Sequence, residues 1–497
     1  MNQAALTART MELIKASFTN PLKDDDALIK AFTQSGSPTT GLTYYDLEAP
    51  AKTLYPVLTP IRNKTPRVGA GRGTQANWKA ITGININALA AGVSEGNRGG
   101  VIATTVSEYN AAYRGLGFED YVTFEADYAG EGYDDVRARA VQGLLRSLMI
   151  GEEKVMLGGN SSLALGTTPT PTVVASNTGG ALAANTWSVI CVALTLDGYM
   201  TASVANGIRG SVTRTNADSS TDSYGGGSAT KSDNATGTTT GSTGSLTATV
   251  ATVAGAFAYA WYWGVAGSEV LGAITTINSV AITAAAAGSQ TASSLSGDNS
   301  RNSLIFDGLL TQVVKSGSGY FSAQATGTAG VGTPLTSDGA GGIVEIDAAL
   351  KSFWDNYRLS PSVIWVSSQE QMNITKKILS GNSNAAQRFV INVEQGNIKG
   401  GDLVRDYLNK FTMDGARAIP LMLHPNLPAG TILFDTDELP YPLSGVANLK
   451  QMRCRRDYYQ VEWPVTRRKY EYGVYFDGVL QNYFPPAFGI ITNIANG

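Results

Sequence analysis

The sequence predicts an α+β fold into which a separate all-β sandwich has been inserted, and three observations carry that expectation. Between residues 161 and 300 nine of 140 side chains are charged, about 6%, against 68 of 357, about 19%, in the rest, so the two parts present different surfaces. Within the weakly charged stretch the apolar residues alternate or cluster in short runs, as the strands of an antiparallel sandwich do. Outside it, stretches of helical period are mixed with buried-type strand runs, and the chain ends in β-type segments.

Residues 1–50 are polar and are punctuated by Pro21, the run Asp24-Asp25-Asp26, Pro38 and Gly41. They predict short helices and extended chain with no core of their own, an arm that needs a partner. Met11, Ile14 and Phe18 recur at helical spacing there and read as an amphipathic arm, not a secretion signal. A β-type segment is expected over Thr53–Val68 and another over Asn77–Ile81. A Gly/Asn/Ala-rich stretch from Gly83 to Gly100 and a second extended segment through Tyr113 follow, together a protruding hairpin loop. From Tyr133 to about Leu157 the pattern is helical. Asp134 and Asp135 favour its N-terminus, Val141, Leu145 and Leu148 line one face beside Leu144, Lys154 suits its C-terminal half, and Gly158-Gly159 supplies the stop.

In the insert, Trp187–Leu196, Leu246–Val253 and Phe257–Trp263 read as strands, and Arg209–Ser245 as a long exposed loop rich in Gly, Ser and Thr. After Ile305 the earlier composition returns. Ile346–Tyr357 predicts a helix with Leu350, Phe353, Trp354 and Tyr357 on one face, ended by Ser360-Pro361. Val363–Val366 reads as a buried strand, Gln369–Leu379 as a helix and Phe389–Val393 as a strand. Tyr458–Val465, Lys469–Phe476 and Phe488–Ile494 are strand-like, with Asp477-Gly478 as a turn signal.

Composition excludes several function classes. The net charge is -3, so there is no basic excess for primary nucleic-acid recognition. Cys191 and Cys454 lie far apart and form neither a disulfide framework nor a thiolate metal site. His424 is the only histidine, which removes His-based metal clusters and His pairs; it reads as a solvated or packed loop imidazole. No uncharged apolar run approaches the roughly 20 residues a spanning helix needs, so no membrane partner is expected.

Candidate chemistry is sparse. Gly92-Val93-Ser94-Glu95-Gly96 has the spacing of a nucleophile elbow, but a Gly/Asn-rich run follows where a helix is required, and only His424 could act as base. A loop tip is the better reading of Ser94. Gly69, Gly71 and Gly73 lack the Lys-Ser/Thr pair of a phosphate cradle and read as a turn. Asp435, Asp437 and Glu438 could recruit calcium, but the remaining spacing of a calcium loop is absent and a solvated acidic turn is expected. Arg453, Arg455 and Arg456, and Arg467, Arg468 and Lys469, are the densest basic clusters. They could face a packaged genome, or pair with acidic surfaces of neighbouring subunits, which the net charge favours. The aromatic residues Trp463, Tyr470, Tyr472, Tyr475, Phe476, Tyr483, Phe484 and Phe488 read as core or interface. No catalytic, cofactor-binding or metal site is expected, and no cofactor.

The order of these parts carries a resemblance: polar arm, protruding loop, long helix ending in Leu157-Gly158-Gly159-Asn160, mixed α/β region, and a closing segment with Pro486-Ala487-Phe488. It resembles the Hong Kong 97 capsid fold of the major capsid proteins of tailed bacteriophages, over about 1–160 and 304–497. The resemblance implies an N-terminal arm (1–50), an E-loop and peripheral domain with a spine helix at about 133–157 (51–160), and an axial domain with the remaining peripheral strands (304–497). The insert, 161–303, resembles the immunoglobulin-like sandwiches some capsid proteins display outside.

The implied function is a structural protein of the virion, not an enzyme. It would self-assemble as hexamers and pentamers in the host cytoplasm into an icosahedral or prolate head shell around the phage genome. The implied partners are other copies of the chain, a separate scaffolding protein or none, a portal, decoration proteins, and packaged double-stranded DNA in weak non-specific contact. Some members of the family are cross-linked through a loop lysine. Lys79 lies in the corresponding stretch, but no asparagine partner or acidic catalyst is identifiable, so that chemistry is not carried over. A nanocompartment (encapsulin-like) shell protein and a secreted adhesin with a β-sandwich domain are the alternatives.

Overall fold

A computed structural model describes residues 54–84, 91–132, 134–317, 319–380, 403–413, 415–442 and 444–495. The arm over 1–50, with Met11, Ile14 and Phe18, the residue Tyr133 and the strand expected at Phe389–Val393 lie outside the described residues.

The segment expected to be extended over Thr53–Val68 contains a helical turn instead, α1 (Pro60–Lys64), before a two-residue strand β1 (Arg67–Val68). Pro60 starts the turn, where its missing N–H costs nothing. The hairpin is present: β2 (Gln75–Ile84) pairs antiparallel with β3 (Thr104–Ala112), with a register shift between Ile81 and Gly83. Next come β4 (Arg114–Thr123), α2 (Phe124–Gly130) and the long helix α3 (Val136–Gly158). The Asp135 side chain caps α3 by accepting from Ala138 N. Leu144, Leu148 and Met156 are buried at spacings of four and eight, whereas Val141 and Leu145, expected to line the face with Leu148, are only half-buried. The stop at Gly158-Gly159 is not a left-handed cap, since Gly159 has φ -55° and ψ 140°. These glycines are needed for close approach: a Cβ on Gly158 would lie 2.3 Å from Leu196 Cδ2, and one on Gly159 2.5 Å from the Phe306 carbonyl.

The weakly charged stretch folds into two sheets beside a separate two-stranded hairpin. Its strands are β5 (Thr172–Ser176), β6 (Asn185–Leu194), β7 (Ser211–Thr215), β8 (Thr221–Gly225), β9 (Ala235–Thr239), β10 (Ser245–Thr249), β11 (Ala258–Gly264), β12 (Val270–Thr275) and β13 (Ser279–Ile282), with a short helix α4 (Leu196–Thr201) after β6. One sheet runs β13-β10-β5 and the other β12-β11-β6-β9. Leu246, Ala248, Trp261 and Cys191 pack between them, while Ile190, Tyr262 and Leu271 pack on the outer side of the second sheet against Ala292 and Leu295. The exposed loop expected over Arg209–Ser245 is therefore corrected: it holds the hairpin β7–β8 and the strand β9. Thr, Ser and Gly give no apolar alternation, and backbone ladders hold these strands.

The chain then forms α5 (Leu309–Ser316), β14 (Tyr320–Ala323), α6 (Val344–Tyr357), β15 (Val363–Val366), α7 (Ser368–Ser380), β16 (Asp406–Asn409), β17 (Arg417–Leu423) and β18 (Ile432–Asp435). Two long strands, β19 (Lys450–Glu462) and β20 (Lys469–Asn482), precede the last, β21 (Gly489–Thr492). A mixed six-stranded sheet has the order β14-β21-β18-β15-β17-β16, and a four-stranded sheet the order β1-β19-β20-β4. Helix α6 stops one residue past Tyr357, at Arg358 in the left-handed region (φ 52°), before Ser360-Pro361 is reached. Asp477-Gly478 is no turn: both residues lie inside β20, opposite a register shift in β19 and paired with Gly115 and Arg114 of β4. One apolar core runs from the buried face of α3 through both sheets, including Phe353, Trp365, Phe434, Phe476 and Phe488. The architecture is α+β.

Candidate assembly surface

Among the described residues the two-stranded ladder β2–β3 is anchored at one end only. At its root Ala76 is buried, and Trp78 stacks on Tyr109 at 6.1 Å and meets the edge of Tyr483 at 5.8 Å. Tyr113 packs where a Cβ on Gly71 would lie 2.7 Å from its hydroxyl, so Gly71 is required by contact, and Gly73 by its φ of 73°. Beyond the root, Ile81 and Val106 are directly paired and are 66% and 55% exposed. Ile84, Val101 and Ile102 add to this apolar surface. An isolated hairpin is marginal in water, and apolar exposure on this scale marks an interaction site. Lys79 stands exposed in β2 opposite Glu108. Ser94 sits in an exposed turn, where Asn97 N donates to its carbonyl at 3.1 Å and Asn97 Nδ2 to its Oγ at 2.7 Å, and no helix follows.

Behind the hairpin, two adjacent carboxylates of α3 bind the chain that leads out of the first residues. Glu152 and Glu153 are both fully buried. Glu152 accepts from Arg62 Nε at 3.1 Å, from Arg67 Nη1 at 2.7 Å and from the Tyr458 hydroxyl. Glu153 accepts from the backbone N–H groups of Ile61 (3.0 Å) and Arg62 (2.7 Å), the first turn of α1, and lies 2.7 Å from His424 Nε2. Burial acts to lower the Arg67 pKa, but its bonds to Asp457 and Glu152 outweigh this and hold the guanidinium more firmly charged than usual. The junction joins α1, α3, β19 and the segment after β17.

Of the two readings of His424, solvated or packed, the packed one holds, with Glu153 as its partner. The acidic trio is corrected as well. Asp435 is buried, accepts from Trp365 Nε1 at 2.9 Å and pairs with Lys450, while Asp437 binds Lys450 and Lys64; only Glu438 is exposed. Among the described residues no group of three or more His, Cys, Asp or Glu side chains is placed to hold a metal ion. The basic clusters find partners within the chain: Arg455 with Asp477, Arg468 with Glu125 and Lys469 with Glu471, while Arg453 donates to Tyr113 and Arg456 lies over the Tyr459 ring. Tyr472, Phe476 and Phe488 are core, while Trp463 is 39% exposed. Cys191 and Cys454 are buried free thiols. No described helix is long and apolar enough to cross a membrane. Sequence reasoning missed Glu152, Glu153 and Glu370; the only trace of the first two is an acidic pair on the apolar side of a helix.

No protein-family model matches the sequence. No curated protein matches it. Solved structures similar to this chain include several capsids. They include the capsid of a native GTA particle (8% identity, 91% of this chain and 96% of that one, TM-score 0.40). The capsid of Myoviridae phage XM1 is 10% identical over 93% of this chain and all of that one, with TM-score 0.40. The capsid of cyanophage Pam1 is 11% identical over 93% and 99%, with TM-score 0.39.

Proposed function

We propose that the chain is the repeating subunit of a virus head shell, the major capsid protein of a tailed bacteriophage. The observation that carries this reading is the one-sided anchoring of β2–β3, whose apolar ladder is left without a partner among the described residues. A second copy satisfies it, and repetition of that contact closes a shell from many modest interfaces. The order hairpin, long helix, six-stranded sheet supports a Hong Kong 97-type arrangement, with 51–160 as E-loop and peripheral domain and 304–497 as axial domain plus peripheral strands.

Residues 161–303 form an outward module of immunoglobulin-like kind, supported by their two sheets and weakly charged surface. The arm, 1–50, reaches a neighbouring subunit. The role is structural, without catalysis or cofactor; a scaffolding protein and a portal act on the shell, and double-stranded DNA touches it weakly. The test is sedimentation of the purified full-length chain, alone and with its scaffolding protein, followed by negative-stain electron microscopy. Closed shells are the expected product, and a chain that stays a folded monomer in both settings overturns the reading.

A further inference from the structure

Where the six-stranded sheet meets the four-stranded one, a lysine and an aspartate are enclosed together. Lys450, the first residue of β19, is 2% exposed, and Asp435, the last residue of β18, is fully buried; Lys450 Nζ contacts Asp435 Oδ1 directly. The other oxygen, Oδ2, accepts from Trp365 Nε1 at 2.9 Å. A second carboxylate, Asp437, places its Oδ1 3.1 Å from the same Nζ, while its Oδ2 is held by Lys64 Nζ at 2.6 Å. The Phe488 ring lies 5.7 Å from Nζ. Each group thus has a place in one reaction. We propose that Lys450 and Asp435 become joined by an intramolecular amide bond.

The step balances without any co-reactant. Across their direct contact a proton passes from the Lys450 ammonium to Asp435, giving a free amine beside a carboxylic acid. The free amine attacks Asp435 Cγ, and a C–N bond forms as the carboxyl π bond opens onto Oδ2, where the Trp365 N–H meets the developing negative charge. Asp437, held as a carboxylate by Lys64 and adjoining the reacting nitrogen, takes the proton from nitrogen and delivers it to the Oδ1 hydroxyl. The C–Oδ1 bond breaks, and one water leaves. Held contact between amine and carboxyl supplies the effective concentration that free side chains lack. The product ties the six-stranded sheet to the four-stranded one by a covalent bond.

This inference does not depend on the shell reading, and its test needs only the full chain. After denaturation and tryptic digestion, the expected peptide runs from Ala418 to Arg453, uncut at Lys450 and lighter than its sequence mass by one water, with no fragment ions between Asp435 and Lys450. The Asp437→Asn variant is expected to give the ordinary peptide Ala418–Lys450 instead. Complete cleavage at Lys450 with full mass in the wild-type chain overturns the bond. A water-deficient peptide that persists in Asp437→Asn overturns the role given to Asp437.

Discussion

The imidazole of His424 and the carboxylate of Glu153 meet at 2.7 Å with both side chains fully buried. The backbone N–H of Asn426 donates to Nδ1 at 3.2 Å, so the ring proton lies on Nε2 and is donated to Glu153. The same carboxylate accepts from both leading N–H groups of α1. One acid therefore ties the start of the described chain to the segment that follows β17. Removing it leaves three donors unmatched, two of them buried. Glu153→Ala is expected to lose about 3 to 5 kcal/mol, the cost of breaking a buried polar network at one partner. Urea denaturation followed by tryptophan fluorescence reads this. A loss below about 1 kcal/mol, the range of a surface change, contradicts the role given to Glu153.

Glu370 makes stability depend on pH. It is fully buried; its Oε1 accepts from Gly430 N and Asn373 Nδ2, its Oε2 has no partner among the described residues, and burial raises its pKa from 4.5 to about 7. The folded chain then holds this proton more tightly than the unfolded chain. Its contribution is intact below the ordinary glutamate range and is lost as pH rises from about 4.5 to 7. Glu370→Gln keeps the acceptor for Gly430 and removes the charge. It is expected to exceed the wild type by up to about 3 kcal/mol at pH 8 and to match it near pH 4.5. Denaturation midpoints at the two pH values measure the difference, and equal midpoints at both refute it.

What was legible in the sequence follows from which interactions are local. The helices α3 and α6 announced themselves because burial follows the helical period, and β11 and β15 because their apolar runs are buried throughout. The β7–β8 hairpin did not, since Thr, Ser and Gly strands show no apolar pattern. Asp477-Gly478 misled because ladders on both sides of β20 override a local turn preference. The buried charges were illegible for a different reason. A lone acid reads as surface until its partner is known, and the partner of Glu153 lies 271 residues away.

The exposed ladder should separate folding from association. Ile81 and Val106 touch solvent on the paired strands beyond the Trp78 root, so a carboxylate at either position costs the monomer little. In an apolar contact with a second copy, the same carboxylate would be buried without a partner. Ile81→Asp and Val106→Asp are expected to unfold within about 0.5 kcal/mol of the wild type and to sediment without any shell fraction. Normal shells from both variants would exclude this ladder as the contact.

Whether the inserted module can be removed is decided at its base. Its two ends adjoin, because Asn302 N donates to the Asn160 carbonyl at 2.7 Å and Asn160 Nδ2 to the Ser300 carbonyl at 2.9 Å, so a short join can replace residues 161–303 without moving α3. The module also rests on the body. Asn278 N donates to Asn493 Oδ1 at 2.8 Å, and Asn493 Nδ2 donates to Asn278 Oδ1 at 3.0 Å, both residues being buried and Asn493 having φ 62°. Excision breaks this exchange but brings water to Asn493, so the cost is that of lost bonds and apolar contacts, not of a buried orphan. The excised chain is expected to assemble still, with a lower unfolding temperature than the full chain. Asn278→Ala in the full chain keeps the backbone bond to Asn493 Oδ1 and the bond from Asn493 Nδ2 to the Gln324 carbonyl, but removes the side-chain bonds to the Val250 carbonyl, Thr326 Oγ1 and Asn493 Nδ2, and is expected to lose about 1 to 3 kcal/mol. Electron microscopy of the excised chain and calorimetry of both variants check the pair of outcomes. Loss of all shells on excision, with the excised chain still folded, would make the module part of the assembly contact.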